Sequence, residues 1–272
     1  VATPQGNYQE TLDQIAQLVA ELELSLTEPA AVGIATPGAI SQLTGRMKNC
    51  NSTCLNDRPL LQDLQSKLKR EVRIANDADC FTLSEATDGA GRGFERVFGV
   101  ILGTGVGGGI CQQGQLLISP NSIAGEWGHN PMPPLRGDRY PDSVAGRRCY
   151  CGRRNCVETY LSGPGLEQSY ADLGGRKKSA IAIIEAAEGG EELALQVLDR
   201  YQECLASALG TVINLLDPHV IVLGGGLSNI ASLYQEVPRR WGEYVFSDCC
   251  DTRLMAPKYG DASGVRGAAW LC

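Results

Sequence analysis

The sequence predicts an α/β protein built on a mostly parallel sheet. Short apolar runs alternate with stretches of helical periodicity, the pattern of layered helices and sheet. Glycine-rich turns follow such runs at two separate places, 103–109 and 224–226. Placed after strands, they suggest a nucleotide site assembled from two sheets facing a cleft.

Each element follows from its own pattern. Leu12, Ile15, Val19 and Leu22 recur at helical spacing, so 8–24 reads as an amphipathic helix. Residues 31–36 form an apolar run closed by Pro37 and Gly38, a strand and a turn. Leu61, Leu64 and Leu68 mark a second helix. Residues 72–75 read as a strand, and 78–87 as a helix that Asn76 or Asp77 can cap. A buried-type strand over 97–102 runs into the glycines of 103–109. Gln113 and Gly114 turn the chain into 115–118, a hairpin that makes the sheet mixed. Residues 131–148 are rich in Pro, Gly and Arg without periodicity, and read as a long surface loop. Helices are expected near 178–188 and 191–215, a strand over 219–223, and a small-residue helix after Gly260.

Composition excludes several classes. The net charge is -7 and no Lys/Arg block stands out, which argues against nucleic acid or an anionic membrane as partner. No apolar run reaches the length of a membrane span. The eleven cysteines are an odd number in a chain large enough to do without disulfides. A reduced, cytoplasmic protein with a metal site fits them best.

The metal reading rests on Cys149, Cys151 and Cys156 with His129 upstream. Three thiolates and one imidazole make a closed tetrahedral zinc site, and soft sulfur selects zinc over magnesium or calcium. Gly152 lets the knuckle turn tightly. Buried core cysteines are the alternative, but three within eight residues of an Arg- and Gly-rich loop is poor core patterning.

Gly103, Thr104 and Gly105 could cradle phosphate through backbone N–H groups, although a tight hairpin has the same spelling. Gly224, Gly225 and Gly226 would let backbone approach a flat nucleoside, or simply join a strand to a helix. Neither turn carries the dinucleotide fingerprint. Asp77 follows a strand and could accept a proton from an alcohol, or only cap a helix. Glu126 and Glu158 each lie close in sequence to a proposed zinc ligand, so one ion would draw both acids together, or both are plain surface acids.

Taken jointly, these elements resemble the ROK family of bacterial sugar kinases and repressors. The zinc signature is similar to 149–158, a Glu-x-Gly-His motif stands at 126–129, and 74–78 resembles the catalytic-aspartate segment. Residues 102–109 resemble the second phosphate loop and 222–226 the adenosine segment. The stretches at 51–56 and after Gly260 look most like the fructokinase and mannokinase branch.

The resemblance implies an actin-like ATPase (ribonuclease H-like) fold, with two lobes around a central cleft and a zinc-knuckle loop. One lobe would take 1–88, completed by 261–272, and the other 89–260 with the zinc site. Asp77 is implied as general base, and Asn51, Asn76, Glu126, His129 and Glu158 as sugar ligands. The implied cofactors are ATP, Mg2+ and a structural Zn2+. The implied reaction is ATP-dependent phosphorylation of a hexose at its 6-hydroxyl, with fructose preferred among fructose, mannose, glucose and N-acetylglucosamine. A sugar-sensing regulator and a catalytically inactive sugar-binding remnant are the alternatives. The resemblance also implies a homodimer, and a first phosphate loop encoded ahead of Val1. Asn155 stands where the family's knuckle has Gly; Asn enters left-handed backbone conformations more readily than most residues.

Overall fold

The computed structural model describes residues 4, 6–117, 119–136 and 146–272. The central feature is a five-stranded mixed sheet. Its strands are β5 (Arg96–Leu102), β6 (Val106–Gln112), β7 (Gln115–Leu116), β8 (Val220–Gly224) and β9 (Arg253–Met255), in the order β7-β6-β5-β8-β9. β5, β6 and β7 run antiparallel through tight hairpins, while β8 and β9 continue parallel to β5. A second, two-stranded sheet pairs β1 (Val32–Thr36) with β4 (Val72–Asn76) in parallel. A short hairpin joins β2 (Ala39–Ile40) and β3 (Met47–Lys48).

Alternation along the large sheet divides two cores. Phe98, Val100, Leu102, Ile221 and Leu223 face the larger one, filled by α4 (Glu158–Leu161), α5 (Gly163–Asp172), α6 (Ala180–Glu188), α7 (Glu192–Leu216) and α8 (Leu233–Trp241). Val97, Val220 and Val222 face the other side, against Phe81 and Leu83 of α3 (Asp77–Thr87). Period-two alternation is what a sheet buried on both faces by different layers requires. A separate core lies under the small sheet, where α1 (Tyr8–Glu23) and α2 (Leu60–Leu68) supply Leu12, Leu60 and Leu64.

α3 links the two sheets. It leaves β4 directly and packs across β5 and β6. Alternate glycines of β6 make room on both faces. A side chain on Gly109 would strike Thr82 and the Ala78 carbonyl, whereas one on Gly108 would strike Trp127 and Gly125. Adding even a Cβ would therefore lift α3 or the 125–128 segment off the strand. α9 (Ser263–Ala269) closes this unit, with Gly267 against the Cys80 carbonyl and Gly33 of β1 against Ala268. Glu85 is fully buried in the joint. It accepts hydrogen bonds from Ser263 Oγ at 2.7 Å, Ala90 N at 2.8 Å and Lys258 N at 3.1 Å.

Two expectations change here. Both glycine turns leave adjacent strands of one sheet, since Ile101 of β5 pairs with Gly224 of β8. They do not come from two sheets facing each other. The run 103–109 is a three-residue turn followed by strand, so Gly107, Gly108 and Gly109 serve packing. Of the loop expected over 131–148, residues 137–145 lie outside the described set. Its described ends are pinned to the cysteine segment by the pairs Pro131–Cys156 and Arg148–Arg154.

Candidate active site

The cysteine segment folds as a knuckle. Gly152 and Asn155 both take left-handed backbone, φ 87° and 55°. The Asn155 side chain also fastens the turn, its Oδ1 accepting from Arg147 N and Tyr160 Oη, each at 2.8 Å. Arg147 stacks on the Tyr160 ring and donates to the carbonyls of Thr159 and Gly165, anchoring the knuckle to α4 and α5. His129 Nδ1 and the sulfurs of Cys149, Cys151 and Cys156 all lie within 4.8 Å of one another. Cys149 Sγ is 3.6 Å from His129 Nδ1, and Cys151 Sγ is 3.6 Å from Cys156 Sγ. Ligands at zinc bond lengths on the corners of a tetrahedron stand about 3.5 to 3.8 Å apart. The donor set and its spacing therefore fit one zinc ion.

The three thiols hold their protons unequally. Burial and a thiol hydrogen bond push Cys156 up to about 12. Burial also acts on Cys151, but the Arg153 N–H and the neighbouring thiols outweigh it and bring that group down to about 6. Without metal the sulfurs share protons that a zinc ion would have to displace.

Glu158, at the start of α4, spans from the knuckle to the first glycine turn. Its Oε2 accepts from Val106 N at 3.0 Å, and a side chain on Gly105 would strike that same oxygen. The turn is closed by Gly103 N donating to Gly105 O at 3.0 Å and tied to α5 by Gly163 N donating to Gly103 O at 2.8 Å. Thr104 is exposed at its tip. The second turn lies alongside. Gly225 has φ 80°, and a Cβ there would stand 2.5 Å from the Leu102 carbonyl oxygen at the end of β5. Gly226 opens onto free space. Both turns thus stand at the carboxyl ends of neighbouring parallel strands, where α/β sheets bind ligands.

Asp77 begins α3 at the carboxyl end of β4. It is reachable by solvent, yet enough protein surrounds it that desolvation raises its carboxyl pKa. Ala78, its neighbour, packs on Gly107 of β6, the strand that leaves the first glycine turn. Asn76 is committed to structure on both sides of its amide: Oδ1 caps α3 through Ala78 N at 2.9 Å, and Nδ2 donates to Gly38 O at 3.2 Å. Each still has one hydrogen-bonding position left. Asn51 is exposed in a segment that Asn56 braces by exchanging two hydrogen bonds with Cys50, at 2.9 and 3.1 Å.

Sequence reasoning missed two residues that belong to this wall. Asp79, one turn-step past Asp77, is pushed up to about 7 by burial and by the charges of Glu126 and Asp77. Tyr150 lies between the two zinc-spaced cysteines, and its hydroxyl is 3.0 Å from His129 Nε2. Its side chain is exposed, but desolvation at its hydroxyl end and the charges of Glu158 and Glu126 push it up to about 12. Glu126 thus acts on both Asp79 and Tyr150. No sequence spacing pointed to Asp79, because Glu126 reaches it from a distant segment.

Comparison with known proteins adds three findings. The profile of the ROK family matches residues 1–272. The N-acetyl-D-glucosamine kinase of Pectobacterium atrosepticum is 41% identical over 271 residues, which takes in 100% of this chain and 89% of that protein. Among solved structures, a ROK hexokinase from Thermus thermophilus superposes with TM-score 0.85 at 24% identity, over 99% of this chain and 87% of that one. A ROK family glucokinase from Streptomyces griseus, solved with glucose and AMPPNP, gives TM-score 0.79 at 25% identity, over 100% and 90%. The fold is that of these sugar kinases, an actin-like ATPase.

Proposed function

The chain belongs to the ROK family, and from that premise we propose that it is an ATP-dependent kinase phosphorylating N-acetyl-D-glucosamine at its 6-hydroxyl. The observation that carries the chemistry is Asp77 at the head of α3, beside the strand that leaves the first glycine turn, with its carboxyl pKa raised by the protein around it. The choice of sugar leans on the 41% identical relative and replaces fructose, which the sequence reading had favoured.

In this reading the 6-hydroxyl oxygen attacks the γ-phosphorus of ATP, its proton passes to a carboxylate oxygen of Asp77, and ADP leaves. A carboxylate with a raised pKa is a better proton acceptor than one in water. Phosphoryl transfer asks mainly for positioning and charge stabilisation. Gly103, Thr104 and Gly105 offer N–H and hydroxyl donors to phosphate, and Gly224, Gly225 and Gly226 offer a flat backbone surface to the nucleoside. Magnesium enters with ATP as part of that substrate. Asn51, Asn76, Glu126, His129 and Glu158 hold the sugar. His129, Cys149, Cys151 and Cys156 would hold one structural zinc, which fixes the His129 and Glu158 wall. Residues 1–88 with 261–272 form one lobe and 89–260 the other, a division supported by the packing of α9 on β1 and α3. The enzyme works as a cytoplasmic homodimer.

The test is a sugar panel. With ATP and magnesium, kcat/KM should be highest for N-acetyl-D-glucosamine, and phosphorus NMR should find the product ester on O6. Fructose as best substrate would overturn the choice of sugar. Failure to phosphorylate any hexose would overturn the kinase reading.

A further inference from the structure

We infer that Tyr150 is a displaceable cap on the sugar site, its hydroxyl holding on His129 the place that a sugar hydroxyl takes. This rests on the proposal that His129 contacts the sugar.

His129 has two ring nitrogens. Nδ1 faces Cys149 Sγ at 3.6 Å, inside the cluster that fits zinc. Only Nε2 is left for anything else, and with Nδ1 committed to a metal it carries the ring's single N–H. That N–H is already satisfied: the Tyr150 oxygen stands 3.0 Å away, with its ring edge-on to the imidazole at 5.2 Å and 81°. A sugar oxygen and the tyrosine oxygen cannot both occupy that position.

Displacement costs little elsewhere. Tyr150 is 77% exposed, so swinging its side chain outward uncovers no core. Its hydroxyl has no other hydrogen-bond partner among the described residues. The neighbouring positions are held independently: Cys149 N donates to Arg153 O at 2.9 Å and Gly152 N to Cys149 O at 3.1 Å. The side chain can therefore move while the knuckle backbone stays.

A cap of this kind competes with substrate. Tyr150→Phe keeps the ring and deletes the competing hydroxyl. Calorimetric affinity for N-acetyl-D-glucosamine should then tighten by roughly threefold to tenfold, the worth of one hydrogen bond no longer displaced. KM should fall with it. A second measurement does not depend on activity. In protein labelled with 3-fluorotyrosine, the fluorine signal absent from Tyr150→Phe identifies Tyr150, and it should shift on adding sugar without nucleotide. Zinc content should be the same in both proteins. Unchanged or weaker sugar affinity in Tyr150→Phe, or a fluorine signal indifferent to sugar, overturns the cap. Loss of zinc from the variant also overturns it, because the hydroxyl would then be orienting a metal ligand. If the unaltered protein binds no hexose at all, the kinase reading has failed instead.

Discussion

The two halves of the proposed site are held in opposite ways. On the proposed sugar side, the knuckle around Cys149–Cys156 is fixed by side chains: the cysteine and histidine donors, the Asn155 amide and the Arg147 guanidinium. On the proposed nucleotide side, the turns at 103–105 and 224–226 are fixed by backbone lying against backbone, with glycine leaving the room. Side-chain fastening can be undone by chemistry, such as removing a metal or protonating a thiolate. Backbone fastening can be undone only by adding atoms. The two halves should therefore fail separately and under different treatments.

The largest effect is expected between them. Asp77→Asn keeps an acceptor oxygen but cannot take the proton, so turnover should drop roughly a hundred-fold or more while sugar and nucleotide still bind. Steady-state kinetics with calorimetry would check this; near-normal turnover would leave Asp77 as a helix cap only. Chelation of zinc, or Cys156→Ser, should come next. It should weaken sugar affinity by about tenfold to a hundred-fold, the scale seen when support around a metal site is lost, and lower the melting temperature. Affinity for a non-hydrolysable ATP analogue should hardly move. If both affinities fall together, the two walls are not independent.

Gly225→Ala is the complementary cut. At φ 80° and with its Cβ 2.5 Å from the Leu102 oxygen, alanine must push the turn away from β5. A cost of about 1 to 3 kcal/mol is expected from the strained backbone. The nucleotide KM should rise while sugar affinity, read by calorimetry, stays.

The smallest effect concerns Asp79. Its carboxyl ionises near 3.8 ordinarily but only near 7 in the folded protein. A raised pKa stabilises the fold fully below the ordinary value, and that contribution is lost as pH rises through 7. Asp79→Asn should therefore gain a few degrees in melting temperature at pH 8 relative to the unaltered protein, and nothing at pH 4. Equal shifts at both values would mean that Asp79 is not desolvated as described.

What the sequence disclosed follows the same divide. The candidate metal-ligand set was readable because a metal demands specific side chains at close spacing, and all four donors meet in the structure. The long periodic helices α1, α2 and α7 were readable for the same local reason, as were β1, β4, β5 and β8. Other elements carried no such signal. β2, β3 and β9 are two or three residues long, too short for a period to show. α5 opens on Gly-Pro-Gly and α8 contains Pro238, spellings that suggest loop. The pairing of β5 with β8 joins residues more than a hundred positions apart, so nothing local revealed that both glycine turns share a sheet. The glycines of 103–109 look alike in sequence; only their neighbours separate the open Gly103 from Gly107 and Gly109, which lie under α3.

The buried Glu85 carries a consequence for how the enzyme comes into being. It welds α3, which begins with Asp77, to the 258–263 segment and α9, encoded far downstream. During synthesis the ribosome releases α3 long before its backing exists. Until α9 docks, Glu85 is a carboxylate without its Ser263 and Lys258 partners, and Gly267 has not yet closed on Cys80. The knuckle and both glycine turns can assemble earlier, since domains fold as their own residues emerge. Asp77, the proposed base, is thus the last part of the site to be set, and a nascent chain stalled before Ser263 would hold the knuckle and both turns with α3 still unbacked.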